Sequence, residues 1–149
     1  MALASNSERW IVLTYKVPRD PTANRVFVWR KLKQLGAIAL QDAAWVLPAT
    51  PKTQEHFQWL AAEISELGGE ARLWLSTLQL EISEETLRKQ FEAQVDTEYK
   101  EILGKLKRKN RDLPALARRY QRVASRDFFS SELGNTVRQK LLAAQEKKR

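Results

Sequence analysis

Four interruptions leave the first part of this chain no room for anything but short single elements. They are Val17-Pro18-Arg19-Asp20-Pro21, Gly36, Pro48 with Pro51, and Gly68-Gly69. Proline removes a ladder donor and fixes φ, while glycine admits the left-handed conformation that commonly ends helices. Between the breaks the hydrophobic period alternates. Arg9 to Lys16 (RWIVLTYK) is rich in aromatic and β-branched residues and predicts an interior strand. Thr22 is the expected cap of a helix through Leu35, with Val28, Leu32 and Leu35 as its buried stripe and Gly36 closing it. Ala37 to Gln41 and Ala43 to Leu47 predict two short strands in a hairpin about Asp42, stopped by Pro48. Thr50 before Pro51 marks a helix start. Phe57, Leu60, Ile64 and Leu67 mark that helix's apolar face, and Gly68-Gly69 ends it. Glu70 to Leu80 predicts a last strand.

The order is strand, helix, strand, strand, helix, strand. Two helices covering one face of a four-stranded antiparallel sheet is the ferredoxin-like solution, so the expected class is α+β, with a βαββαβ domain over residues 1–82. From Ser83 the period becomes helical only, and a helical extension of about three helices is expected over 83–149. Ser83 is the expected cap of the first, whose stripe is Leu87, Phe91, Val95, Tyr99, Ile102 and Leu106. Asp112 caps a second, with Pro114 in its first turn and Leu113, Leu116, Tyr120 and Val123 inward. Ser130-Ser131 precedes a third carrying Leu133, Val137 and Leu141, and the tail Glu146 to Arg149 is expected to fray.

Charge enters because it is local. The chain carries a net +8, and nine of its 26 lysines and arginines, against one of its 18 acids, fall between Gly104 and Arg126. The remainder is balanced. A basic concentration of this kind favours an anionic partner, although a solvated helical hairpin would look the same. There is no cysteine, which excludes disulfides, thiolate metal sites and cysteine nucleophiles. The N-terminus lacks the apolar run of a leader, and no stretch reaches the roughly 20 apolar residues of a membrane span. A cytoplasmic, soluble protein is expected.

The sequence carries no recognisable catalytic motif. His56, the single histidine, lies off the apolar face of its helix and reads as an exposed helix residue. The five glycines form no phosphate loop. Asp20 and Asp42 are the carboxylates a Mg²⁺-dependent nuclease would need, yet both suit turns. Trp10, Trp29, Trp45, Trp59 and Trp74 all fall in predicted elements, mostly as packing; Trp29 and Trp59 leave their helices' main stripes and could stack on a base. Two basic groups remain as candidate DNA- or oxyanion-binding residues. Arg118, Arg119, Arg122 and Arg126 would form one guanidinium stripe at helical spacing. Lys16, Arg19, Arg25 and Arg30, with Lys31 and Lys33 beside them, surround the first loop and helix.

Several of these segments match a known pattern. Ile11 to Pro18 (IVLTYKVP), Val28-Trp29-Arg30-Lys31-Leu32 with Leu35-Gly36-Ala37, Trp45-Val46-Leu47-Pro48, Phe57 to Ile64, Gly68-Gly69-Glu70-Ala71 and Arg126-Asp127-Phe128-Phe129 resemble the N-terminal domain of the ChrB family. The resemblance covers nearly the whole chain. It implies a transcriptional regulator that senses chromate and controls a chromate-efflux operon. In that family a second domain follows; this chain stops at Arg149, as either a fragment or a stand-alone relative. More distantly, the first eighty residues resemble the ferredoxin-like domain of PaaX-type repressors and the small nuclease of CRISPR adaptation. Where that nuclease family carries an aspartate, Lys16 stands here, and a lysine does not hold Mg²⁺.

The leading expectation is a DNA-binding transcriptional regulatory protein of chromate resistance, not an enzyme, without cofactor or metal. Chromate or another oxyanion is its expected effector, and a homodimer through the sheet is a further expectation. The alternatives are a Mg²⁺-dependent nuclease and a dimerisation-only module.

Overall fold

The computed structural model describes residues 9–147. The expected lack of a leader concerns residues 1–8, and part of the expected frayed tail is Lys148 and Arg149; both lie outside the described residues. The elements run β1 (Arg9–Lys16), α1 (Thr22–Leu35), β2 (Ile38–Gln41), β3 (Ala44–Pro48), α2 (Pro51–Glu66), β4 (Glu70–Thr77), α3 (Glu81–Leu106), α4 (Leu113–Ala124) and α5 (Glu132–Lys147). Two compact units divide between Glu85 and Thr86.

The first unit holds one sheet in the order β2-β3-β1-β4, every neighbouring pair antiparallel. This is the ferredoxin-like βαββαβ arrangement anticipated from the breaks. Leu13 is central, paired with Trp45 on one side and Leu73 on the other, and it is fully buried. All five residues of β3 are buried, as befits an interior strand. The helix α2 packs on β1 and β4, with α1 beside it. Its inward residues Phe57, Leu60 and Ile64 are at most 2% exposed. Each contributes about 1.5–3 kcal/mol through the apolar area it hides.

The ends of these elements follow side-chain chemistry. Thr50 and Thr53 form a reciprocal capping box at the start of α2. The Thr50 hydroxyl accepts from the Thr53 N–H at 3.0 Å, and the Thr53 hydroxyl oxygen accepts from the Thr50 N–H at 2.8 Å. The buried Thr53 hydroxyl also donates to the Pro48 carbonyl at 2.6 Å, tying α2 to the end of β3. Gly36 closes α1 with φ 81°, as expected. At the other helix end Gly68 takes φ 87°, but Gly69 is there for space. A Cβ on Gly69 would stand 2.4 Å from the Lys16 carbonyl oxygen and 3.2 Å from that of Ile64.

Several boundaries differ from expectation, among them the starts of β2 and β3, which fall at Ile38 and Ala44 and not at Ala37 and Ala43. Thr22 is the first helical residue and not the cap of α1; Pro21 holds the cap position, without a side-chain bond, and its carbonyl accepts from the Asn24 N–H. Ser83 lies inside α3, because the Leu80 carbonyl already receives the N–H groups of Ser83 and Glu84. The glutamates Glu81 and Glu84 then occupy the first turn, where the helix dipole favours them. Pro48 is the last residue of β3 and pairs with Trp10, since a strand's end tolerates a missing donor. The strand β4 stops at Thr77, short of Leu80.

In the second unit the expected stripe of α3 is buried at every position, Leu87, Phe91, Val95, Tyr99, Ile102 and Leu106. From Val95 onward it meets Leu113, Leu116 and Val123 of α4 and Val137 and Leu141 of α5 in one core. Asp112 caps α4 through the Ala115 N–H at 3.1 Å, and Ser131 caps α5 through the Leu133 N–H at 3.1 Å. The Ser131 hydroxyl donates to Asp96, and its N–H donates to Asp127. The Tyr99 hydroxyl reaches the same Asp127. A polar knot therefore fixes the start of α5 against α3 beside an otherwise apolar core.

Candidate functional site

The basic segment of the second unit begins where α3 ends. Lys105, Lys107, Arg108, Lys109 and Arg111 crowd the turn to α4, all exposed. Like charges are tolerated there because the C-terminal carbonyls of α3 favour cations. Arg111 Nη1 donates to the Leu106 carbonyl at 3.0 Å and so satisfies one of them. A hollow of about 350 Å³ opens at this corner, edged by Lys105, Arg108, Arg111 and Arg119 over Ala115 and Leu116. The one acid at its edge, Asp112, already accepts from the Ala115 N–H. The corner therefore concentrates donors and positive charge on one small area, the arrangement that suits phosphate or a tetrahedral oxyanion.

The four arginines singled out by sequence separate into two pairs. Arg118 and Arg122 are exposed, one turn apart on α4. Arg119 instead reaches across to Glu101 of α3. The helix ends at Ala124, so Arg126 leaves the expected stripe and sits in the following turn. Its Nη2 bonds Glu98 at 2.8 Å, and its buried Nε has no hydrogen-bond partner. The continuous four-guanidinium stripe is thus not present. Helical spacing puts Arg118 and Arg122 on one exposed side of α4, but it does not register the α3 carboxylates opposite Arg119 and Arg126. The residues overlooked as site candidates were Lys105, Arg108 and Arg111, although their presence in the basic run was plain.

In the first unit the basic residues also divide. Lys16, at the end of β1, and Arg25, in the first turns of α1, line a pocket of about 560 Å³. Arg19 and Arg30 are exposed but do not line it. The remaining walls are Tyr15, Trp29, Trp45 and the β2–β3 hairpin with Gln41 and Asp42. The Trp45 side chain stands beside the Tyr15 hydroxyl. Burial raises the Tyr15 pKa, Trp45 and Arg25 oppose that rise, and nearby Asp42 adds to it. The hydroxyl is thus neutral, within the field of both Arg25 and Asp42. Trp29 stands 52% exposed at the rim. Trp59 is 66% exposed on α2, away from this pocket. Trp74, expected as packing, is also 52% exposed, held by an indole hydrogen bond to the Thr14 hydroxyl at 3.0 Å.

Asp20 and Asp42, the carboxylates considered for Mg²⁺, lie in separate turns. Among the described residues no three His, Cys, Asp or Glu side chains stand together as a metal site. His56 is half-buried on α2, not fully exposed as anticipated. No described helix is long and apolar enough to cross a membrane.

Comparison with known proteins follows the same lines. The family "Protein ChrB, N-terminal" matches residues 25–113, from Arg25 at the pocket to the end of the basic turn, leaving most of α4 and its arginines outside the match. A relative named Protein ChrB, from Cupriavidus metallidurans, is 30% identical over 146 aligned residues, covering 88% of this chain and 44% of the relative. The chain therefore spans less than half the length of that relative. No solved structure matches. With 89 consecutive residues, more than half of the chain, under one family description, the chain belongs to the ChrB N-terminal family.

Proposed function

We propose that this chain is a DNA-binding regulatory module of chromate resistance, a binding protein and not a catalyst. The observation that carries this reading is the basic corner of the second unit. There Lys105, Arg108 and Arg111 edge a hollow, and Arg118 and Arg122 project from the next helix without an acid at their side on α4. Cations so placed neutralise successive phosphates, which supplies affinity and makes it strongly dependent on salt. Sequence preference has no visible source in a helix-turn-helix pattern, so phosphate positioning leads and base contacts follow from it. Chromate is the effector that the family resemblance implies. As a tetrahedral dianion it competes for the same guanidinium and ammonium groups that hold phosphate. One surface would then serve both operator and effector.

The test is fluorescence anisotropy with duplex DNA from the region upstream of the protein's own operon, against a scrambled duplex, over a salt series with and without chromate. Binding that prefers the upstream duplex and is released by chromate supports the proposal. Absence of binding at low salt rejects it and leaves a dimerisation module.

A further inference from the structure

The pocket between β1, α1 and the β2–β3 hairpin carries a pattern of charge that a plain oxyanion would not satisfy. Lys16 and Arg25 offer two cations, but Asp42 lies in the same wall. A bare dianion would be drawn by the first two and repelled by the third. The occupant that fits must bring an anionic group for one side and hydrogen-bond donors for the other. The Gln41 side chain, which both donates and accepts, adjoins Asp42 in the hairpin.

The aromatic walls restrict the occupant further. The indole of Trp45 is 8% exposed and stands beside the Tyr15 hydroxyl. The neutral Tyr15 hydroxyl in the same wall can donate to a ligand or accept from it. The Trp29 side chain, half exposed at the rim, is accessible to a ring laid against it. A volume of about 560 Å³ falls within the usual range of small-molecule pockets, about 300–1,000 Å³, and far exceeds what a four-oxygen anion fills. Planar ring, anionic group and donor hydroxyls or amines together describe one abundant class of compound.

We infer that this pocket binds a nucleoside monophosphate unit, with its phosphate on Arg25 and Lys16, its base against Trp29, and its sugar hydroxyls or base amine on Asp42. The unit is either a free nucleotide or one unstacked nucleotide of a strand. This site is separate from the proposed duplex contacts of the second unit and does not depend on them.

Tryptophan fluorescence and titration calorimetry on the full chain test it, with AMP, adenosine, inorganic phosphate and a short oligo-dA as probes. AMP is expected to bind at least about tenfold more tightly than either adenosine or phosphate, since each lacks one half of the recognition. Arg25→Ala and Trp29→Ala, both at exposed positions, are each expected to weaken AMP about tenfold while circular dichroism stays unchanged. Arg118→Ala is the control and leaves AMP binding intact. Competition between AMP and oligo-dA places the unit in a strand; AMP binding without oligo-dA binding makes it a free nucleotide. Failure of both probes to bind, AMP no tighter than phosphate, or affinity preserved in Arg25→Ala and Trp29→Ala overturns the inference. Loss of duplex binding in variants of the second unit leaves this readout untouched, so the two readings fail separately.

Discussion

The Tyr99 hydroxyl donates to Asp127 Oδ2 at 2.9 Å, joining the middle of α3 to the turn before α5. Burial and this carboxylate hold the phenol protonated well above the ordinary tyrosine range. The unfolded chain loses that proton from about pH 10, while the folded protein keeps it. The unfolded state then binds fewer protons, so stability falls as pH rises above that value; below it the contribution is fully present. Tyr99→Phe is expected to cost ~1–2 kcal/mol at neutral pH and to flatten the alkaline decline. Urea unfolding at pH 7 and pH 10.5 checks both, and an unchanged alkaline slope in the variant would show that other groups cause the decline.

Two glycines in helices predict opposite outcomes. A Cβ on Gly134 would press within 2.9 Å of the Tyr99 ring and 3.0 Å of Asp127 Oδ2, whereas one on Gly104 meets nothing within 4 Å. Gly104→Ala is expected to stabilise by ~0.5–1 kcal/mol through helix propensity. Gly134→Ala gains the same propensity but forces a buried ring aside, so a net loss of ~1–2 kcal/mol is expected. Thermal melts should move in opposite directions; a shared direction would contradict the packing described around Tyr99.

Thr53→Val probes the capping box without changing shape. It strands the Thr50 N–H and the Pro48 carbonyl, both served by one hydroxyl that is nearly inaccessible to water. A loss of ~1–3 kcal/mol is expected from denaturant midpoints, larger than for Thr50→Ala, which forfeits a cap at the surface.

On the basic corner, Arg118→Ala and Arg122→Ala should each lower the slope of log affinity against log salt by about 1. Arg119→Ala acts differently, since its guanidinium is engaged with Glu101. That partly exposed pair contributes only ~0.2–1 kcal/mol to stability, and its removal leaves the salt slope nearly unchanged. Equal slopes for all three variants would mean that Arg119 leaves Glu101 to meet DNA.

Much of the fold was legible because period and punctuation act locally. The limits of β1, the αL close at Gly36, the Thr50 start of α2 and all six inward positions of α3 follow from residues a few places apart. The failures are tertiary or depend on competing caps. Thr22 had the chemistry of a cap, but the chain turned one residue earlier at Pro21. Trp74 has the size of a core residue, yet its place on the β4 edge leaves it half exposed. In the candidate sites, Arg118 and Arg122 were readable from helical spacing. The partners of Arg119 and Arg126 lie 18 and 28 residues away on another helix, beyond the reach of any local pattern. The pocket draws Tyr15, Arg25 and Trp45 from three elements, and only the strand pairing and helix placement bring them together.

The neighbouring glycines between α2 and β4 are not equivalent spacers. Saturation mutagenesis should find Gly68 permissive toward asparagine, which accepts its left-handed backbone and meets only Pro18 at 3.9 Å. Gly69 should accept nothing, because its neighbours are two main-chain carbonyls that cannot rotate away like side chains. Any substituent there acts as a wedge driven between the end of β1 and the first residue of β4. It would unzip the sheet from the Lys16–Glu70 pair inward.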